Sequence, residues 1–138
     1  MEIKVTLQVG VKILIQNDEG KYLLLKRSLV KYPEMNGCWD IVGGRIDPGT
    51  GLTENLAREI KEETGLVLTG TPKLIAAQDI IPNPERHIVR LTYVGKAEGE
   101  ITLDGVEHDS YQWFSREELL NLENLDSYFK ELLKNGSL

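Results

Sequence analysis

Residues Gly44 to Leu66 read GRIDPGTGLTENLAREIKEETGL, a glycine-punctuated loop running into a short charged segment that a second glycine closes. Pro48, Gly49 and Gly51 keep residues 45–51 irregular. The spacing then predicts a helix over Leu52–Thr64, with Leu52, Leu56, Ala57 and Ile60 as its apolar stripe. Gly65 is a natural left-handed stop. On that helix Glu59, Glu62 and Glu63 fall three and four residues apart, so their side chains share one face. Like charges packed this closely repel. A cation resolves the repulsion, and carboxylate oxygens suit a hard ion such as Mg²⁺. The arrangement therefore constrains the fold: a sharp turn must deliver this helix beside a surface open to an ion.

The remaining pattern is mostly extended. Ile3, Val5, Leu7, Val9, Val11, Ile13 and Ile15 alternate with period two, which predicts a half-buried strand over 3–16, bent at Gly10. Asn17-Asp18-Glu19-Gly20 is a turn, and Lys21–Arg27 a second strand, so the two are expected to form a hairpin. Residues 28–38, with Pro33, Asn36 and Gly37, read as a loop. Trp39–Val42 is a short extended piece ending at Gly43-Gly44. One or two strands are expected over 66–81. Pro82-Asn83-Pro84-Glu85 reads as a loop that cannot occupy a central strand. His87–Ala97 and Ser110–Phe114 read as further strands. Ser115-Arg116-Glu117-Glu118 is a capping box opening a helix. Asp126 is the expected N-cap of a last helix carrying Phe129, Leu132 and Leu133. The order indicates an α+β fold, a mixed β-sheet layered by helices, in a single domain over 1–138.

The 138 residues suffice for a sizeable core. A net charge of −6 argues against non-specific binding to a nucleic-acid polymer or an anionic membrane. It leaves room for a small nucleotide, since a metal can bridge carboxylates and phosphate. No stretch reaches the ~20 apolar residues of a membrane span, and the N-terminus alternates rather than forming a signal-like block. The lone Cys38 cannot form an intrachain disulfide and reads as a small buried hydrophobe. A cytoplasmic location is expected.

By itself, EIKEE fits a solvated helix with i,i+4 ion pairs. Its flanks shift the balance. The segment resembles the signature of the Nudix hydrolases: glycine, five residues, glutamate, seven residues, then Arg-Glu-apolar-x-Glu-Glu-x-Gly-apolar. Gly44, Arg58, Glu59, Ile60, Glu62, Glu63, Gly65 and Leu66 match in register. The resemblance extends over nearly the whole chain in its order of strands and helices. Two positions depart. Thr50 stands where the family has its first glutamate, a residue that supports the arginine; Glu54, one turn before Arg58, is the expected substitute. Val42 stands where many relatives have proline, which alters loop stiffness rather than chemistry.

The resemblance implies an α/β/α sandwich and Mg²⁺- or Mn²⁺-dependent hydrolysis of a pyrophosphate bond in a nucleoside-diphosphate-linked substrate. A nucleoside triphosphate or a modified form, cleaved to monophosphate and pyrophosphate, is the favoured substrate. ADP-ribose or a nucleotide-sugar is the alternative within the enzyme class, and a non-catalytic nucleotide-sensing module the alternative outside it. Carried over by position, the Gly44 carbonyl, Glu59 and Glu63 are metal ligands, and Glu62 a further ligand or a base. Arg45 is placed to stabilise charge on the leaving phosphate, and Arg27 to contact phosphate. Glu107 and His108, before the last strand, are candidates for an additional ligand or a general base. Trp39 could stack on a base. Trp113 reads as core and His87 as structural. Relatives are monomers or homodimers, and both remain open.

Overall fold

The structure is a computed structural model and describes residues 4–31 and 38–138. Ile3, Pro33, Asn36 and Gly37 lie outside the described residues. Among the described residues seven strands and three helices follow in the order β1 (Thr6–Ile15), β2 (Tyr22–Arg27), β3 (Trp39–Asp40), β4 (Val42–Arg45), α1 (Leu52–Thr64), β5 (Val67–Asn83), β6 (Arg86–Glu98), β7 (His108–Phe114), α2 (Arg116–Leu120) and α3 (Ser127–Lys134). They build a mixed four-stranded sheet, β4-β1-β6-β5, and an antiparallel three-stranded sheet, β3-β2-β7. The pairing of β1 with β6 is parallel, with Gly10 opposite Arg90.

The expected hairpin of the first two strands does not form. Only Gln16 and Tyr22 bridge them, beside the Asn17–Gly20 turn, whose Asn17 side chain accepts the N–H groups of Glu19 and Lys21. The reason is competition for edges. β4 and β6 occupy both sides of β1, so β2 crosses into the other sheet and pairs with β3 and β7.

Period-two alternation sends β1 side chains to two cores. Val11, Ile13 and Ile15 join Leu23, Leu25 and Val42 beneath Leu56 and Ile60 of α1. Leu14 joins Leu24, Ile41 and Phe114 beneath Leu119, Phe129, Leu132 and Leu133 of the C-terminal helices. The sheets therefore lie between α1 on one face and α2 and α3 on the other. Leu56 and Ile60 are fully buried, each worth about 2 kcal/mol of apolar transfer.

Helix ends follow the sequence. Gly65 caps α1 in the left-handed region, Ser115 and Glu118 form the capping box of α2, and Asp126 caps α3 through the Phe129 N–H. Leu52 departs from expectation. At the first turn of α1 it is exposed, and Asn55 occupies the buried face instead. β5 runs through Pro82 to Asn83, further than the sequence indicated, because it is an edge strand and tolerates a missing donor. Cys38 is only half-buried, and burial pushes its thiol up. Trp113 is half-buried against the first core. His87 Nε2 lies 2.7 Å from Asp79 Oδ1 across the β5–β6 hairpin. No helix among the described residues is long and apolar enough to cross a membrane.

Candidate active site

The turn between β4 and α1 begins on two glycines whose environment excludes a side chain. Gly43 has φ of 142°, and a Cβ there would collide with the Val11 carbonyl. A Cβ on Gly44 would stand 2.8 Å from Glu59 Oε1. The backbone and the helix carboxylate thus share a space that only glycine leaves open. Behind the turn lies a buried charge group that the sequence reading missed. Lys12 Nζ donates to Asp40 Oδ2 and to the Ile41 carbonyl, both at 3.1 Å, and Arg27 Nη2 donates to the same Asp40 oxygen at 2.9 Å. Burial alone would raise the Asp40 carboxyl, but Lys12, Arg90 and Arg27 overcome it and hold it at about 2. The sequence carried a signal: Lys12 interrupts an otherwise apolar stretch of β1.

The helix carboxylates differ in exposure. Glu62 is 59% exposed, Glu59 13% and Glu63 9%. Glu63 Oε2 accepts the Gly43 N–H at 2.8 Å, tying helix to turn. Burial pushes the Glu63 carboxyl up to about 8 against the pull of Lys12 and that hydrogen bond, with Glu59 and Asp40 adding to the rise. Burial also raises Glu59, opposed by Arg58 and reinforced by Glu62.

Arg58 is held without a glutamate at position 50. It lies 3.1 Å from Glu59, 3.2 Å from Glu62 and 3.4 Å from Asp47, and donates to the Arg45 carbonyl and to Asn55 Oδ1. The expected substitute, Glu54, is exposed and makes no ion pair with Arg58. Asp47 and Asn55 take that place. Asn55 Oδ1 also accepts the Asp47 N–H, while Nδ2 donates to the Thr50 and Gly51 carbonyls. One buried amide therefore closes the whole 47–51 loop. An asparagine in a helix interior, where it is a poor helix former, was the available clue.

The loop before β7 comes in from the other sheet. Asp104 Oδ1 accepts the N–H groups of Val106, Glu107 and His108, and Ser28 N–H donates to the Glu107 carbonyl. These bonds aim Glu107 and His108 at α1. Ligand atoms of Glu63, Glu107 and His108 all lie within 4.8 Å of one another. Lys31 pairs with Glu107 at 3.0 Å. His108 is buried, and its Nδ1 has no hydrogen-bond partner, standing 3.9 Å from Glu63 Oε1. Burial, with Arg27 and Lys12, lowers its pKa, so the imidazole is neutral near pH 7.

A cavity of about 420 Å³ is lined by Gly43, Gly44, Glu59, Glu62, Glu63 and Glu107. Its carboxylate-rich donors, the orphaned His108 nitrogen and the open space at Gly44 fit a hard divalent cation. A second cavity of about 630 Å³ shares Gly43, Gly44, Glu59 and Glu107 with it and adds Lys12, Arg27, Arg45, Arg90, Ile80, Ile88 and Tyr128. Arg90 pairs with Asp126 at 2.8 Å and lies 5.3 Å from the centre of the Tyr128 ring. The structure thus brings together Gly44, Glu59, Glu62, Glu63, Arg27, Arg45, Glu107 and His108. Trp39 does not join them; it packs edge-on against Phe114, 5.1 Å between centroids, with Lys26 over its face. Tyr128 and Arg90, which the sequence did not single out, line the shared cavity.

A family profile described as the NUDIX domain matches residues 6–135. A putative 8-oxo-dGTP diphosphatase of Bacillus subtilis is 32% identical over 77% of this chain, which spans 65% of that relative's length. The nucleoside triphosphatase NudI of Klebsiella pneumoniae is 32% identical over 80% of this chain and 83% of its own. The crystal structure of a MutT protein from Methanosarcina mazei superposes with a TM-score of 0.81 at 30% identity, covering 97% of this chain and 95% of that one.

Proposed function

The chain belongs to the NUDIX family of pyrophosphohydrolases, and we propose that it cleaves a nucleoside triphosphate, or a modified form, to the monophosphate and pyrophosphate. The observation that carries this reading is the joining of two cavities. The acidic one suits a metal–pyrophosphate unit. The adjoining one offers a cationic rim, an aromatic ring and an apolar floor at Ile80 and Ile88, which suit phosphate, base and sugar. The names of the two curated relatives, an 8-oxo-dGTP diphosphatase and a nucleoside triphosphatase, support a triphosphate substrate.

In this reading the Gly44 carbonyl, Glu59 and Glu63 hold the cation, and Glu62 stands beside them. A Mg²⁺ or Mn²⁺ bound there supplies neutralising charge and lowers the pKa of the attacking water. Glu62 is the helix carboxylate that reaches open solvent, so its carboxylate oxygen is the acceptor placed to take the water's proton. Neutral His108 and Glu107 stand across the cavity as second acceptors. Arg45 lies where it can stabilise charge on the leaving phosphate. Arg27 is braced by Asp40 and presents its guanidinium to the shared cavity. Arg58 holds Glu59 and Glu62 in position by pairing with both.

The test is product release from a panel of nucleoside triphosphates, oxidised nucleotides, ADP-ribose and nucleotide-sugars, with Mg²⁺ and with EDTA. Metal-dependent release of monophosphate and pyrophosphate from a triphosphate is the expected outcome. AMP from ADP-ribose alone reassigns the substrate. Nucleotide binding without turnover of any member makes the chain a sensing module and overturns the reading.

A further inference from the structure

The polar face of β1 continues past the nucleotide cavity. Thr6, Gln8, Gly10 and Lys12 alternate with apolar residues, so their side chains share one face of β1, and Lys4 lies two residues before the strand. In the neighbouring strand Arg86 pairs with Thr6, Ile88 with Gln8 and Arg90 with Gly10, while Arg45 of β4 pairs with Gly10 from the other side. The register therefore sets Arg45 and Arg90 in one row and Arg86 in another. Four residues of strand separate those rows, about 13 Å. Lys4 lies further out in the same direction.

Lys4, Arg45 and Arg86 line a depression of about 420 Å³ with Thr6, Gln8 and Asn83. Arg45 also lines the nucleotide cavity, so the two spaces adjoin. Gln8 Oε1 accepts a hydrogen bond from Arg86 Nε at 3.3 Å, which fixes the guanidinium and leaves its two terminal nitrogens for a ligand. Lys12, Arg27, Lys31, Arg58 and Arg90 each hold a carboxylate. Among the described residues Lys4, Arg45 and Arg86 have none within ion-pair distance, although Glu85 borders the same depression. In a chain of net charge −6, three cations lining one depression against the single carboxylate of Glu85 leave it an excess of positive charge that suits an anionic ligand.

We propose that Lys4 and Arg86, with Arg45 at the border with the nucleotide cavity, form a second anion subsite, which takes a phosphate borne by the nucleotide substrate on the side remote from its pyrophosphate. The subsite rests on the nucleotide reading above, because Arg45 connects it to that cavity. Its geometry favours a substrate phosphorylated on the sugar over one ending in a free hydroxyl. A guanidinium with paired donors is the suited partner for a phosphate monoester.

The test compares dGTP with its 3′-phosphorylated form in the wild type, Arg86→Gln and Arg86→Lys. The wild type is expected to show a KM about tenfold lower for the 3′-phosphorylated substrate, the scale of one charge-assisted contact. Arg86→Gln should erase that advantage and leave kcat and KM for dGTP unchanged, while Arg86→Lys retains part of it. Equal KM values in the wild type, or an advantage that survives Arg86→Gln, overturn the subsite. If neither nucleotide is hydrolysed, the substrate reading fails on its own. Calorimetric titration of pyrophosphate in EDTA then judges the cation cluster: binding weakened about tenfold by Arg86→Gln supports it, and unchanged binding overturns it.

Discussion

Removing the divalent ion should leave a protein whose stability falls as pH rises, with Glu63 as the cause. The folded chain holds this carboxyl near 8, against an ordinary value of 4.5. Between those values the unfolded chain has released the proton and the folded chain keeps it. Stability is therefore fully present below about 4.5 and lost as pH climbs towards 8. A tenfold difference in proton affinity between folded and unfolded chain is worth ~1.4 kcal/mol, so the ceiling is about 5 kcal/mol and the loss between pH 5 and 8 roughly 3 to 4 kcal/mol. The assay is urea unfolding in EDTA at pH 5, 6, 7 and 8, comparing the wild type with Glu63→Gln. The amide replaces the proton-bearing oxygen without a charge, so the variant should lack this slope. His108 titrates in the opposite sense, because its lowered pKa makes stability fall towards acid; it stands 3.9 Å from Glu63, so the pair is compared again with His108→Asn in both proteins. The difference between the two curves therefore isolates Glu63. Added Mg²⁺ should stabilise the wild type more at pH 8 than at pH 5, since at pH 5 it must first displace the proton. A wild-type-minus-variant difference that stays flat from pH 5 to 8 would refute the argument, and with it the claim that burial beside the Gly43 turn primes this carboxylate for a cation.

Four further outcomes follow from the same geometry. Glu62→Gln should lower kcat by about 10² to 10⁴ while leaving Tm within a degree or two, because the side chain is largely exposed; undiminished turnover removes Glu62 from the array. Thr50→Glu should change kcat by less than about threefold, and Asn55→Ala should destabilise by roughly 2 to 4 kcal/mol in urea unfolding, because Asn55, not position 50, closes the loop and braces Arg58. Asp40→Asn should cost roughly 3 to 5 kcal/mol at pH 7 by leaving Lys12 buried without its partner. That cost should shrink as pH falls from about 4 towards 2, where wild-type Asp40 itself takes up a proton; a pH-independent cost would show that the charge on Asp40 is not what holds Lys12.

What the sequence made legible was whatever short stretches of chain encode. The α1 boundaries, the Gly65 stop, the Ser115 capping box and the Asp126 cap each depend on residues within one turn of one another. The carboxylate face of α1 was legible for the same reason. The hairpin expected at Asn17–Gly20 failed because the turn chemistry was right but the strand partners were decided far away: β1 gave both its edges to β4 and β6. The parts of the site that went unseen share that character. Lys12 finds Asp40, 28 residues further along the chain, and Glu107 and His108, whose loop Asp104 shapes locally, meet Glu63 only through the folded chain. Even so, a partial signal was present. The apolar residues of β1 mark the face toward α1. The alternate residues Lys4, Thr6, Gln8, Gly10 and Lys12 are equally periodic and polar. In a central strand, a polar face that retains a lysine must meet either solvent or a charged partner. Here it meets both. Lys12 is buried against Asp40 behind the glycine turn, Gly10 underlies the nucleotide cavity, and Lys4 lines the adjoining depression. A single strand thus carries one hydrophobic core on one side and, on the other, the electrostatics of the site followed by Leu14 in the second core. That is why replacing Lys12 should disturb the glycine turn and the substrate cavity together, whereas replacing Val11, one residue away, should act on stability alone.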